Sequence, residues 1–207
     1  MSTLNLDPSR VLIGFLVRHG ELNDMSIWDS WGSYDLSEEG RQQAEKAAQY
    51  LSFERIGRVI SSDLPRTINT AQAIMDNCSV ACPYVYHDPN IRPWNVGDFT
   101  GKEKTPERIA EFQKYIKNPD LPIPGSDESR NQLNQRVQVI PVYLASPYDG
   151  KPTAIVLHNS VIKSLMGIDD IADAVSPGGI IAVYSNEKGE CDFEVVLGAV
   201  TPEIGVS

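Results

Sequence analysis

Cysteine is scarce in this chain, three residues in 207, and histidine is equally scarce. A low, odd cysteine count argues against a disulfide framework and fits a reducing compartment, so the cytoplasm is the expected location. Cys78 and Cys82 lie close together, but no second Cys or His pair stands nearby to complete a zinc site. They read as free structural thiols. No apolar stretch reaches the length of a membrane span, and the opening MSTLNLDPSR lacks the apolar core of a secretory leader. Positive charge is short as well, with 18 Lys and Arg against 28 Asp and Glu, a net charge of -10. That balance argues against nucleic acid and anionic membranes as partners, since either needs a basic face. An anionic small molecule stays open, because a few arginines converging on one pocket dominate the local field.

Apolar residues are present in ordinary proportion, 41% against 22% charged, enough for a sizeable core. The length fits a single domain over residues 1–207. Val11 to Val17 is a continuous apolar run that stops at Arg18-His19-Gly20-Glu21. Such a run reads as a strand buried on both faces, and in open α/β sheets the chemistry gathers at the carboxyl ends of strands. Thr153 to Leu157 repeats the pattern and ends at His158.

Between these runs the chain alternates helix and strand. Residues 22–36 have no clean period and read as a structured loop, with Trp28 and Trp31 as local packing. Ser37 offers a cap for a helix to about Ser52, with Glu38 and Glu39 in its first turn. A strand near Arg58 to Ser61 precedes Asp63-Leu64-Pro65-Arg66, where Asp63 reads as an N-cap and Pro65 suits the first turn. That helix is expected to reach Asn77 and to bury Leu64, Ile68, Ala71 and Met75. A weaker strand is expected over 83–91, a loop over 92–104, and a helix from Thr105-Pro106 to about Lys117. The proline-rich stretch 118–129 reads either as a lid or as a surface crossover. A helix from Glu128 to Ala145 follows, with Pro141 expected to disturb it. A short helix near Val161 to Met166 and a hairpin of strands, Ile180 to Tyr184 and Phe193 to Leu197, close the chain. The fold class is therefore α/β: a three-layer sandwich with a mainly parallel sheet, helices on both faces and an antiparallel C-terminal strand. An edge strand from the hairpin leaves a homodimer possible.

In this architecture Arg18, His19, Arg66 and His158 meet at one sheet edge, a set suited to a phosphate. The stretches RHGE, YDLSEEGRQQA, SSDLPRTINTA, PGSDES and AIVLHNS, in this order, resemble the histidine phosphatase superfamily, also called phosphoglycerate mutase-like. The resemblance implies that His19 takes phosphate covalently and water then hydrolyses the phosphohistidine. It implies that Arg18 and Arg66 clamp the phosphate, that His158 donates to it, with Asn159 beside it, and that neither metal nor cofactor is needed. The substrate would be a small phosphorylated molecule or a phosphorylated protein. Glu21, Arg92 and Ser129 are possible substrate contacts; Glu128 matches a segment where a glutamate is usually structural. His87 is not expected to be catalytic.

One part of the pattern is missing. The leaving alcohol needs a proton, usually from a positioned carboxylic acid. In the larger branch a glutamate lies four residues before the first glycine of a G-x-x-x-G segment. Here Gly97 and Gly101 are those glycines, and the position holds Pro93. In the other branch an aspartate follows the second histidine; here it is Asn159. Asp98, between the two glycines, is the expected replacement, with Glu103 behind it. The competing readings are a non-catalytic phosphate-ligand binder or scaffold on the same fold, and a phosphoglycerate-mutase-type phosphotransferase.

Overall fold

The computed structural model describes residues 10–78, 84–169 and 173–198. Six strands form one sheet in the order β3-β2-β4-β1-β5-β6. They are β1 (Val11–Arg18), β2 (Arg58–Ser61), β3 (Tyr84–His87), β4 (Thr153–Leu157), β5 (Ile180–Ser185) and β6 (Cys191–Leu197). The β3-β2, β2-β4 and β4-β1 pairs are parallel; β5 and β6 add antiparallel strands at the other side. The helices are α1 (Glu38–Leu51), α2 (Pro65–Asn77), α3 (Pro106–Lys117), α4 (Arg130–Arg136), α5 (Val139–Ala145) and α6 (Asn159–Met166). None of the described helices is long and apolar enough to cross a membrane.

The continuous apolar strands are apolar because both sides are covered. In β1, Phe15 and Val17 face one layer, where Ala47, Ala48 and Leu51 of α1 and Ala71 and Ile74 of α2 meet them. Leu16 faces the other layer, with Leu133 of α4, Ile140 and Leu144 of α5, and Val161 and Ile162 of α6. Alternation along a strand sends neighbouring side chains to opposite faces, so one run serves two cores. Gly14 breaks the run because a Cβ there would lie 2.5 Å from the Thr153 carbonyl oxygen and from Leu144.

The expected elements recur with four physical corrections. Asp63 does not cap α2: Leu64 occupies the cap position without a side-chain bond. The Asp63 carboxylate instead accepts from Arg92 Nε at 2.6 Å. Leu64 and Ala71 are buried as expected, but Ile68 and Met75 are only half-buried, and Arg66, Thr67, Thr70 and Ile74 complete the buried face of α2. The helix expected over 128–145 is two helices. Pro141 has no N–H to donate back to Val137, and the chain breaks at Val137-Gln138, where α5 begins its own turn. The expected strand over 83–91 is shorter, and Pro89–Ile91 forms a 3-10 turn instead. Cys82 lies outside the described residues; Cys78 is in no disulfide among the described residues.

Candidate active site

The register of three parallel strands builds the site. Arg18 pairs across from Leu157, so the residues that follow, His19 and His158, leave the sheet side by side. The His19 N–H donates to the Leu157 carbonyl at 3.1 Å and fixes that exit. On the far side of β4, β2 ends at Ser61, and α2 starts four residues later with Arg66 in its first turn. Arg18, His19, Arg66 and His158 are all buried, Arg66 completely. They line one cavity of about 400 Å3.

Each side chain is held by a specific neighbour. His19 Nδ1 lies 2.7 Å from the Gly20 carbonyl oxygen. A carbonyl only accepts, so Nδ1 carries the proton and the lone pair sits on Nε2. Burial, then the Arg66 and Arg18 charges, hold the ring well below its ordinary pKa of 6.5 and keep it neutral. His158 Nε2 lies 2.7 Å from Ser62 Oγ, while its buried Nδ1 has no protein partner. Its pKa is also pushed down, first by burial and then by Arg66. The two imidazole rings stand 5.2 Å apart between centroids.

The arginines are immobilised by backbone oxygens. Arg66 donates to the Ser30 and Gly32 carbonyls at 2.5 and 3.2 Å and pairs with Asp29 at 3.1 Å. Burial lowers its pKa and Asp29 opposes that shift; a guanidinium remains a cation throughout. Arg18 donates to the Val175 carbonyl at 2.6 Å and pairs with Asp173 at 2.7 Å. The Nε of each arginine is buried without a protein partner. Two fixed cations, two neutral imidazoles and unpartnered buried N–H groups make a receptor for a tetrahedral oxyanion. Among the described residues no group of three His, Cys, Asp or Glu is placed to hold a metal ion.

Other expected site residues fall elsewhere. Asn159 lines the cavity, but its amide donates to Asp173 at 2.8 Å and its oxygen accepts from the Ala174 N–H. Asp98, the expected acid, is exposed and does not line the cavity. Its N–H is drawn to the Pro124 carbonyl, and its carboxylate faces Gly125, where an added Cβ would lie 2.2 Å from it. Glu103 is exposed too, on a bridge to Ile27. Glu21 accepts from Ser37 through its carbonyl and carboxylate, tying the loop to the start of α1. Arg92 is committed to Asp63 and stacks on Trp31. Ser129 caps α4 in a reciprocal pair with Gln132. None of these five lines the cavity, because each is held by a local partner. Gly20 allows close approach of α1 rather than of a ligand: a Cβ there would lie 2.1 Å from the Gly40 carbonyl oxygen.

Three features of the cavity had no periodic signature. Asp29 and Asp173 line it from irregular segments. Trp28, expected to be packing, does touch Phe99 and Phe112, yet it also forms cavity wall. Helix α3 supplies Ile109, Phe112 and Ile116, whereas residues 118–129, the possible lid, supply none of the lining. That stretch is a crossover anchored by the fully buried Ile123.

The family model of the histidine phosphatase superfamily (branch 1) matches residues 15–168. The chain belongs to that superfamily. It is 34% identical to phosphoglycerate mutase-like protein 4 of Arabidopsis thaliana over 157 residues, 72% of this chain and 67% of that protein. It is also 34% identical to a metal-independent phosphoserine phosphatase of the same plant over 163 residues. There the match covers 72% of this chain and 65% of the plant protein, so the chain spans about two thirds of the curated relatives' length. Among solved structures, a mycobacterial glucosyl-3-phosphoglycerate phosphatase complexed with VO3 superposes with a TM-score of 0.72 at 20% identity. It covers 92% of this chain and 100% of its own, which places this histidine phosphatase superfamily member on the same fold.

Proposed function

We propose that the chain is a metal-independent phosphomonoesterase that works through a phosphohistidine on His19. The observation that carries this reading is the bond from His19 Nδ1 to the Gly20 carbonyl, which leaves Nε2 as a neutral nucleophile between two buried guanidiniums. Nε2 attacks phosphorus, and the P–O bond to the alcohol breaks with its electron pair leaving on oxygen. Arg18, Arg66 and His158 surround the charge that spreads over the equatorial oxygens. Water then attacks the phosphohistidine, and the P–N electron pair returns to Nε2. One water proton stays on the phosphate and the other goes to solvent or to the departed alkoxide.

One relative's name supports this reading, a metal-independent phosphoserine phosphatase, while another is named mutase-like. The mutase reading ranks lower because Pro93 stands where the larger branch carries its glutamate; Lys104, Arg130 and Lys163 do line the cavity as further cations. The test is hydrolysis of p-nitrophenyl phosphate with EDTA present, together with acid quenching after incubation with radiolabelled acetyl phosphate. Turnover that persists in EDTA, with an acid-labile, base-stable label absent from His19→Ala, is the expected result. Binding of inorganic phosphate without either signal, from pH 4 to 9, would replace the enzyme with a phospho-ligand binder.

A further inference from the structure

The cavity runs well beyond the phosphate end. Besides His19, its lining includes Trp28, Trp94, Ile109, Phe112, Ile116 and Leu133. Phe112 is in ring contact with both tryptophans, its centroid 5.6 Å from Trp28 and 5.3 Å from Trp94. Several polar groups of the lining already have one protein partner. Ser160 Oγ accepts from the Trp94 N–H, and Ser164 donates to Asn134. Lys104 and Arg130 donate to backbone oxygens, and Lys163 is engaged as well. A polar leaving group such as a serine or a sugar would lose water against the Trp28, Ile109, Phe112 and Ile116 side chains. An apolar ring loses nothing and gains area and ring contacts.

The proton inventory narrows the class further. Pro93 lines the cavity at the position where the larger branch of the superfamily carries its acid. Three carboxylates line it. Asp29 and Asp173 are the anionic halves of ion pairs with Arg66 and Arg18. Asp24 accepts from the Ser26 hydroxyl and N–H, which hold its carboxyl below the ordinary range as an anion rather than a proton donor. Asp98 and Glu103 lie outside. An aliphatic alkoxide, whose conjugate acid is about as weak as water, leaves poorly without protonation. A phenolate, with a conjugate acid near about 10, leaves without help.

Resting on the phosphatase reading, we infer that the substrate class is an aryl phosphomonoester, whose ring occupies the Trp28–Phe112 wall and whose oxygen departs as phenolate. His19 Nε2 forms the P–N bond as the P–O(aryl) bond breaks. The electron pair stays on the phenolate oxygen, which takes its proton from solvent after release. The missing acid and the apolar wall are then two halves of one specificity: the ring is held by area, and the leaving group needs no donor.

The test compares phenyl phosphate, 1-naphthyl phosphate, cyclohexyl phosphate and phosphoserine on the wild-type chain. Cyclohexyl phosphate matches phenyl in size and polarity but not in leaving group. The expected kcat/KM for phenyl exceeds that for cyclohexyl by about 10²-fold or more, the range that general acid catalysis otherwise supplies. Naphthyl is expected to equal or exceed phenyl, with phosphoserine lowest. Ile109→Asp, which places a charge on the wall, is expected to cut kcat/KM for 1-naphthyl phosphate at least tenfold. Cyclohexyl within tenfold of phenyl, or phosphoserine above phenyl, overturns the proposal. So does a chain whose His19 is labelled by acetyl phosphate but which hydrolyses no aryl ester, while the phosphohistidine reading survives. No labelling by any donor sinks both.

Discussion

His19 and His158 leave adjacent parallel strands and meet with ring centroids 5.2 Å apart, both buried and both held neutral by burial and by the same pair of arginines. Two imidazoles this close would repel if both were charged. The fold therefore stabilises the neutral form of both rings, the form that the proposed attack by His19 requires.

This pairing sets a pH dependence of stability. The folded-state pKa of each ring lies below the unfolded value of 6.5. Between those values the unfolded chain binds protons that the folded chain refuses, so stability is full above 6.5 and falls as the pH drops through it. The slope is about 1.4 kcal/mol per pH unit for each histidine while the folded ring stays neutral. Urea denaturation from pH 8 to 5 checks this, and His158→Gln is expected to reduce the slope by about half. An unchanged slope would mean that His158 titrates alike in both states.

Asp173 competes with any phosphate for Arg18, since its carboxylate already sits 2.7 Å from the guanidinium. Asp173→Asn removes that anion and leaves Arg18 anchored on the Val175 carbonyl. Inorganic phosphate is expected to inhibit the variant at severalfold lower concentration, with phenyl phosphate kcat within threefold of wild type. Weaker inhibition would mean that Asp173 positions Arg18 rather than opposing the ligand. Isothermal titration with phosphate measures the difference directly.

How far the sequence carries the site depends on what kind of signal places a residue. Arg18, His19, Arg66 and His158 follow strand ends or open a helix, and strand pairing with a period of two brings such positions together. Asn159 is carried along at the start of α6. Asp29, Asp173 and the α3 wall are set by loop paths and by which helix face the tertiary packing selects, which no local period records. Asp98 fails for the same reason: it is close in sequence to Pro93, but the 3-10 turn at Gly97–Phe99 directs it to the 124–125 turn. Ser129 and Glu21 are polar residues whose partners are local helix termini, and that role is indistinguishable in sequence from a pocket contact.

Those local roles have their own expected outcome. Ser129 and Gln132 satisfy each other's backbone N–H groups at the start of α4. Ser129→Ala is expected to lower stability by about 1 kcal/mol and to leave KM for phenyl phosphate within twofold. Asp98→Asn is expected to leave the entire pH–rate profile in place. A Ser129 variant that raises KM tenfold, or an Asp98 variant that loses one limb of the profile, would return that residue to the site.

Pro93 offers a gain-of-function test of why the acid is missing. It lies on the cavity wall, and its carbonyl accepts from Trp31 Nε1 at 2.9 Å and from Arg136 at 3.2 Å. Both bonds use the backbone oxygen, so Pro93→Glu retains them while supplying a carboxyl at the position the larger branch uses. General acid catalysis contributes about 10²–10⁴-fold when fully positioned, and a newly placed group captures part of that. Cyclohexyl phosphate turnover is expected to rise tenfold or more, with phenyl phosphate changing less than threefold because its leaving group needs no proton. The new activity should require a protonated carboxyl and decline toward high pH, which the wild-type phenyl reaction does not. An equal rise for both esters would mean that Pro93 shapes the cavity rather than marking a vacant acid position.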